Sequence, residues 1–370
     1  MRITDELRYT VALSLVKNVG PVTFKKLMER FGNVTLIFGA GQKDFQGIEK
    51  VSRSLYAELK APDLFEKADA EIAKAVKQNV RIISFMDKHY PADLKEIYDA
   101  PILLYVKGIL PEEDVPKVAI VGSRKASLYG LRMAKSIARD LSRAGVVVVS
   151  GLALGIDSAA HEGALSEDGS TLAVLGGGLA RLYPSKNKKM AEAILKKGAL
   201  ISEYPMEIEP RPEYFPLRNR LISGLSQAVL VVEAGNKSGA LITADAALEQ
   251  GRDVLAIPGN ADSERSAGTN ALLKQGAKLV TSAADVLEEL KMNKGKSNDA
   301  PQQLHSEKKI FDLNPDEAKL FSLLMNEPLP IDTLVEESGI SASLVITHIS
   351  RLQMKGYVKE LPGKYFVRNV

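Results

Sequence analysis

The residues best suited to chemistry lie where an apolar run ends. Lys117-Val118-Ala119-Ile120-Val121 is followed by Gly122-Ser123-Arg124 and then by Ser127, Tyr129 and Gly130, at what reads as the start of a helix. A strand-to-helix turn of this kind is an anion seat. Backbone N–H groups at a helix start carry partial positive charge, Gly122 lets a ligand approach the main chain, and Arg124 adds a planar fork that matches phosphate oxygens. The three glycines of a dinucleotide fingerprint are missing, so the turn points to a phosphate rather than to a nicotinamide. Between residues 122 and 143 six basic residues stand against one acid, Asp140, in a chain that is otherwise nearly balanced.

Further segments share this character. Ser150-Gly151 through Gly155-Ile156-Asp157 is a second glycine-bearing strand-to-helix loop, and Asp157 is placed to cap the helix that follows. His161 stands one turn beyond Asp157, a pairing that more often orients structure than performs acid–base work, since no nucleophile elbow accompanies it. Arg181–Lys189 follows a triple glycine and mixes Tyr183 with Lys186 and Lys188, the combination in which rings stack on bases and cations follow a backbone. Phe215, three residues before Arg218, is a stacking face beside a phosphate fork, and Arg218 with Arg220 around Asn219 would be unfavourable in an interior. Glu233 through Lys237-Ser238-Gly239 offers backbone N–H groups, a lysine and a hydroxyl. The lysine precedes the last glycine, however, so the order that places magnesium and a terminal phosphate is absent and no nucleotide hydrolysis is implied.

Apolar runs at Val80–Phe85, Ile102–Val106, Val118–Val121, Val146–Val149, Leu172–Leu175, Leu200–Ile201, Ala228–Val232, Val254–Ile257 and Lys278–Thr281 alternate with helical stretches. Several are β-branched and apolar throughout, as strands covered on both faces must be. This alternation predicts an α/β fold, an open, doubly wound, mostly parallel sheet whose carboxyl ends carry the glycine-bearing loops. Residues 1–62 read as short helices with Gly20-Pro21 between two of them, resembling a helix-hairpin-helix turn that can offer N–H groups to a phosphate. They carry ten basic and six acidic residues. Residues 291–312 are polar and without apolar periodicity, as expected of a linker. Beyond them Pro315–Asn326, Ile331–Ser338 and Ser341–Lys355 show helical spacing and Tyr357–Leu361 with Tyr365–Val367 a hairpin, together a winged helix. Six basic against seven acidic residues from 315 onward make a poor balance for reading duplex DNA.

The whole chain of 370 residues has 49 basic and 46 acidic side chains, so its net charge of +3 does not by itself announce a nucleic-acid partner. With no cysteine, disulfide scaffolds and thiol chemistry are excluded, and a reducing cytoplasm fits. No run approaches bilayer length, so no membrane insertion is expected. The four histidines, at 89, 161, 305 and 348, lack metal-site spacing, and neither metal nor cofactor is expected.

Taken in order, GSRKASLYG, SGLALGID, FPLRNRLISGLS, EAGNKSGALITA and GRDVLAIPG resemble the bacterial DNA-processing protein A (DprA/Smf) family. The resemblance implies a sterile-alpha-motif-like helical domain over 1–62, an extended Rossmann-like core over 63–290 and a winged helix over 313–370. It also implies a non-enzymatic, cytoplasmic homodimer that binds single-stranded DNA and helps load the RecA recombinase in natural transformation. Carried onto this chain, the phosphate-binding arginine is Arg124, and the second basic contact is Lys186 or Lys188. Phe215, Arg218, Asn219 and Arg220 add a ring and further cations. Gly122, Ser123, Ser127, Tyr129, Gly151 and Lys237 complete the candidate DNA-binding set, and Leu272 and Leu273 form the candidate dimer face. Two rival readings remain open: a ligand-sensing transcription regulator with a winged helix, and a phosphoribohydrolase-like enzyme. The latter would want a PGGxGT-x-x-E motif that Gly235–Thr243 lacks.

Overall fold

The computed structural model describes residues 4–48, 53–290, 313–324, 328–361 and 363–368, and the expected linker lies outside them. The chain separates into two compact units, residues 1–293 and 294–370.

In the first unit, nine strands form one sheet: β1 (Arg81–Ser84), β2 (Leu103–Gly108), β3 (Lys117–Val121), β4 (Val147–Ser150), β5 (Thr171–Val174), β6 (Ala199–Ser202), β7 (Ala228–Val231), β8 (Asp253–Ala256) and β9 (Lys278–Leu279). Their order is β1-β2-β6-β5-β4-β3-β7-β8-β9. From β6 to β9 every pairing is parallel, whereas β1 and β2 join antiparallel at one end. All residues of β3, β4, β5 and β7 are buried, because helices cover both faces of these strands, and that is why they carry no polar alternation. One face packs Ala119, Val121, Val149 and Val231 against Leu221, Ala240 and Ala244, and the other packs Val118, Ile120, Val148 and Leu230 against Ala134, Ile137 and Ala160. Each such aliphatic side chain contributes about 1.5–3 kcal/mol on full burial.

The N-terminal helices Asp5–Ser14, Pro21–Phe31, Val34–Gly39, Arg53–Leu59 and Leu64–Lys77 do not close a core of their own. Val11, Phe24, Leu27 and Ile72 share one cluster with Ile82 of β1, Tyr105 of β2, Ala173 of β5 and Leu200 of β6. Helix starts and stops follow the local residue types. Thr4 caps the first helix through Oγ1, Pro21 opens the second, and Gly32 at φ 72° ends it. Among the described residues no helix is long and apolar enough to cross a membrane, and no group of three or more metal-ligating side chains occurs.

The second unit has helices Pro315–Leu323, Ile331–Ser338 and Ala342–Met354 beside a three-stranded antiparallel sheet, β10 (Leu329–Pro330), β11 (Val358–Leu361) and β12 (Tyr365–Arg368), in the order β10-β12-β11. Leu320, Phe321, Leu334, Val345, Ile349, Leu352 and Phe366 form its core. A capping box of Asn314 and Glu317 starts the first helix, and the buried Glu317 carboxylate also accepts from Lys355 at 2.9 Å. This is a winged helix.

Candidate nucleic-acid interface

The strand order brings the carboxyl ends of β5, β4, β3 and β7 side by side, so Gly176, Gly151, Gly122 and Glu233 share one rim. The winding direction reverses between β3 and β7. In open α/β sheets that switch point is where ligands lodge.

Here the crevice is already filled. The Ser123 N–H donates to the Glu233 carbonyl at 2.7 Å, and the Ser127 N–H donates to the two Glu233 carboxylate oxygens at 3.0 and 3.2 Å. The Ser127 hydroxyl also donates to that carboxylate and accepts from the Gly130 N–H at 3.0 Å. The expected anion seat therefore holds an internal anion. Ser123 and Ser127 are engaged in the fold rather than offered to a ligand. Gly122 has a similar explanation, since a Cβ there would stand 2.6 Å from Ile156 Cγ1 and 2.9 Å from the Glu233 carbonyl. Tyr129 is 37% exposed and donates its hydroxyl to the Pro258 carbonyl at the end of β8.

Arg124 stands outside this closure. Its guanidinium carbon is 5.0 Å from the centroid of the Phe215 ring, and the Tyr183 ring lies 5.7 Å beyond at an interplanar angle of 40°. Phe215 is held there by the rim itself, because Gly176 leaves room for a ring edge that would come within 2.9 Å of a Cβ. Asn187 fixes the adjoining basic segment: its side-chain amide donates to the Leu152 carbonyl at 2.8 Å and to Ser158 Oγ at 2.9 Å, tying the turn that bears Lys186 and Lys188 to the loop after β4. Lys186, Lys188 and Lys237 are exposed. Among the described residues none of these three, nor Arg124, has a carboxylate within ion-pair distance. Farther along the 128–143 helix, Lys135 pairs with Glu162, and Arg139 and Arg143 pair with Asp140. The basic excess of this segment is thus neutralised away from the rim and left uncompensated at it.

Two arginines depart from expectation. Arg218 is 3% exposed and donates from Nη1 to the carbonyls of Gly151, at 2.8 Å, and Val174. Gly151 makes room for it, since a Cβ would lie 2.5 Å from that nitrogen, so Gly151 serves the packing of Arg218 and not a ligand. Burial, together with the charge of Arg124, pulls the Arg218 guanidinium down to about 10 despite the opposing field of Asp157. Arg220 pairs with Glu203 at 2.5 Å and Asp99 at 3.0 Å, and Asn219 donates to the Gly239 carbonyl at 3.2 Å. The interior tolerates Arg218 because Nη1 meets two carbonyls at strand ends, and the half-buried Arg220 is held by two carboxylates from other segments. Asp157 caps the loop before its helix, accepting from the Gly151 and Ala153 N–H groups at 3.1 and 3.3 Å, and burial pushes its carboxyl up. His161 does not meet it. Its Nδ1 lies 2.8 Å from Thr171 Oγ1, whose proton goes to the Val148 carbonyl, so Nδ1 is the donor; burial lowers the ring to about 3 and keeps it neutral.

Residues 81–291 match the family described as DNA recombination-mediator protein A, and residues 305–364 match the DprA winged helix domain. The chain belongs to the DNA recombination-mediator protein A family. It is 39% identical to Protein Smf of Escherichia coli over 78% of this chain and 77% of that one, and 46% identical to DNA processing protein DprA of Streptococcus pneumoniae over 61% and 79%. The solved structure of the Streptococcus pneumoniae DNA processing protein A covers 78% of this chain and 99% of that chain at 38% identity and a TM-score of 0.61. A Helicobacter pylori DNA processing protein A, described for its single-stranded DNA binding mode, matches at 30% identity and a TM-score of 0.52, over 58% of this chain and 96% of that one.

Within this member of the recombination-mediator family, Leu272 is 6% exposed and packs in the sheet core with Val231 and Ala256, so it cannot supply a dimer face. Leu273 is half-buried against the same core, and Leu279 on the edge strand β9 is 51% exposed. At the helical end, the Lys17 N–H of the hairpin turn donates to Glu58 Oε2 at 2.8 Å, which removes one donor expected for a phosphate. Sequence reasoning missed Glu233 as an anion, Asn187 as the tether of the basic turn, and Tyr204, which stacks on Tyr214 at 4.5 Å where β6 ends. A lone acid two residues beyond a fully buried strand is the available signal for Glu233.

Proposed function

We propose that this chain is a non-enzymatic single-stranded DNA binder that grips the strand at the rim beside β3 and β5 and passes it to the RecA recombinase in natural transformation. The observation that carries this reading is the Arg124 guanidinium lying on Phe215 with Tyr183 alongside. A guanidinium held over a ring presents its edge to phosphate oxygens, while the exposed part of the ring pair is free to stack a base. Lys186, Lys188 and Lys237 extend the cationic track, and unpaired strands suit it because their bases are accessible and their backbone bends without the resistance of a duplex.

The acids of the rim support the non-enzymatic reading. Glu233 is bound to Ser127 and Asp157 to backbone N–H groups, so neither is placed to move a substrate proton. The third helix of the winged unit exposes Leu344, Ile346 and Met354, with Arg351 as its lysine-or-arginine residue, which is a poor set for reading base edges. This favours strand mediation over operator recognition. The chain acts in the cytoplasm as a homodimer, and with Leu272 buried the contact is assigned to the neighbourhood of Leu273 and Leu279.

Fluorescence anisotropy with labelled oligo-dT and a duplex of equal length, at two salt concentrations, tests the central claim. The expected result is preference for the single strand with an affinity that falls as salt rises, by an exponent of about 0.7 per phosphate neutralised. Equal or tighter retention of a specific duplex would overturn it. Faster RecA assembly on protein-coated single strands tests the mediator step, and sedimentation across a dilution series tests the dimer.

A further inference from the structure

The switch-point crevice between β3 and β7 is the place where this architecture normally receives a phosphate, and here it contains the Glu233 carboxylate. Glu233 is 4% exposed and stands two residues beyond the end of a fully buried strand. Both carboxylate oxygens accept from the Ser127 N–H, and the Ser127 hydroxyl reaches the same group. Gly130, in the first turn of the 128–143 helix, has no side chain because a Cβ would stand 2.8 Å from Glu233 Oε2. The carboxylate thus lies against the positive end of the helix, held by the N–H and the hydroxyl of Ser127, where a phosphate would otherwise be favoured.

We propose that Glu233 is an intramolecular stand-in for phosphate, which closes the crevice to free mononucleotides and inorganic phosphate and confines the ligand to the outer side of the rim at Arg124. This rests on the single-strand reading and deepens it by naming what sets specificity. A mononucleotide offers one phosphate and would bind best in a crevice that surrounds it. With the crevice closed, what remains is an open ledge of separated cations and rings, and a ledge holds a ligand only when several units engage it at once. Polymer is selected over monomer by removing the monomer's pocket. Glu233 is a positioning and specificity residue in this scheme and does not touch the strand.

Thermal unfolding with and without millimolar inorganic phosphate, against sodium chloride of matched ionic strength, tests the idea on the full chain. Wild type should show no phosphate-specific stabilisation. Glu233→Ala should unfold at a lower temperature and recover with phosphate, binding it at least roughly tenfold more tightly than wild type, as expected of an emptied helix N-terminus. Glu233→Gln, which retains an oxygen for Ser127, should lose stability without that recovery. Should Glu233→Ala fail to fold, amide shifts of Ser127 and Gly130 in the wild-type protein during a phosphate or dTMP titration decide the matter, and they should not move. Phosphate stabilising the wild type, phosphate-induced shifts at those two amides, or a folded Glu233→Ala indifferent to phosphate would each overturn the proposal. None of these readouts contains DNA, so they can fail while strand binding at Arg124 stands, and loss of oligo-dT binding would leave them unaffected.

Discussion

Replacing Arg124 by alanine isolates the contact on which strand binding at the rim depends. Arg124 is exposed, rests 5.0 Å from the Phe215 centroid, and has no carboxylate within ion-pair distance among the described residues, so its removal leaves no stranded partner charge. Folding stability should therefore be nearly unchanged. Binding should fall, because an arginine–phosphate hydrogen bond is charge-assisted and contributes about 1.5–3 kcal/mol, which corresponds to an affinity loss of roughly 10- to 150-fold. Part of that value comes from preorganisation, since the ring beneath already restricts the guanidinium plane. Arg124→Lys separates the two components: it retains the charge and most of the salt dependence but loses the planar fork, and should give an intermediate loss. In anisotropy titrations of oligo-dT at two salt concentrations, Arg124→Ala should also lower the salt exponent by about 0.7. Unchanged affinity and unchanged salt exponent, in a variant whose circular dichroism and unfolding midpoint match wild type, would refute the assignment.

Phe215→Leu should weaken oligo-dT binding by about 1–3 kcal/mol while leaving the salt exponent in place, because stacking carries no counterions; an altered exponent with unaltered affinity would contradict this. Gly151→Ala should destabilise the fold by about 1–3 kcal/mol in urea unfolding, since its Cβ would displace the buried Arg218 guanidinium; a wild-type midpoint would contradict that packing. His161 gives a pH signature. Its ring is lowered to about 3 in the folded chain from an ordinary 6.5, so the unfolded chain takes up the proton first and stability falls as pH drops through that window. From pH 7 to pH 5 the loss is about 2 kcal/mol, and His161→Gln should abolish that share of the pH dependence.

The sheet was legible because a strand buried on both faces must be written in apolar, mostly β-branched residues, and that is how β3, β4 and β7 read. The glycine-bearing loops were legible for the same reason, being placed by the strands they follow. What each loop residue does was much less so. Arg218 and Arg220 looked like surface cations because their neighbours in sequence offer no compensation, yet Arg218 finds acceptors at Gly151 and Val174, and Arg220 finds Glu203 and Asp99. Ser127 and Glu233 are 106 residues apart, and only the adjacency of β3 and β7 brings them together. Local patterning fixes where a backbone goes. The charge partners of a rim depend on which distant loops that backbone makes neighbours.

The buried Arg218 also affects how a bound strand should respond to salt. Its guanidinium is inside the rim, and the charge of Arg124 is among the causes that lower it, so the two cations repel each other in the unbound protein. An anion arriving at Arg124 relieves that repulsion and is attracted by both charges. Mobile ions screen exposed groups such as Lys186 and Lys188 within about 8–10 Å at ordinary salt but reach a buried charge much less. The attraction from the lysines and from the exposed Arg124 should therefore fade as salt rises, and the part due to the buried Arg218 should persist. The affinity lost on Arg124→Ala should accordingly narrow as salt rises, in step with the share of the salt exponent that this residue carries, while the attraction of the buried Arg218 remains in both proteins; a gap that widens with salt would contradict this.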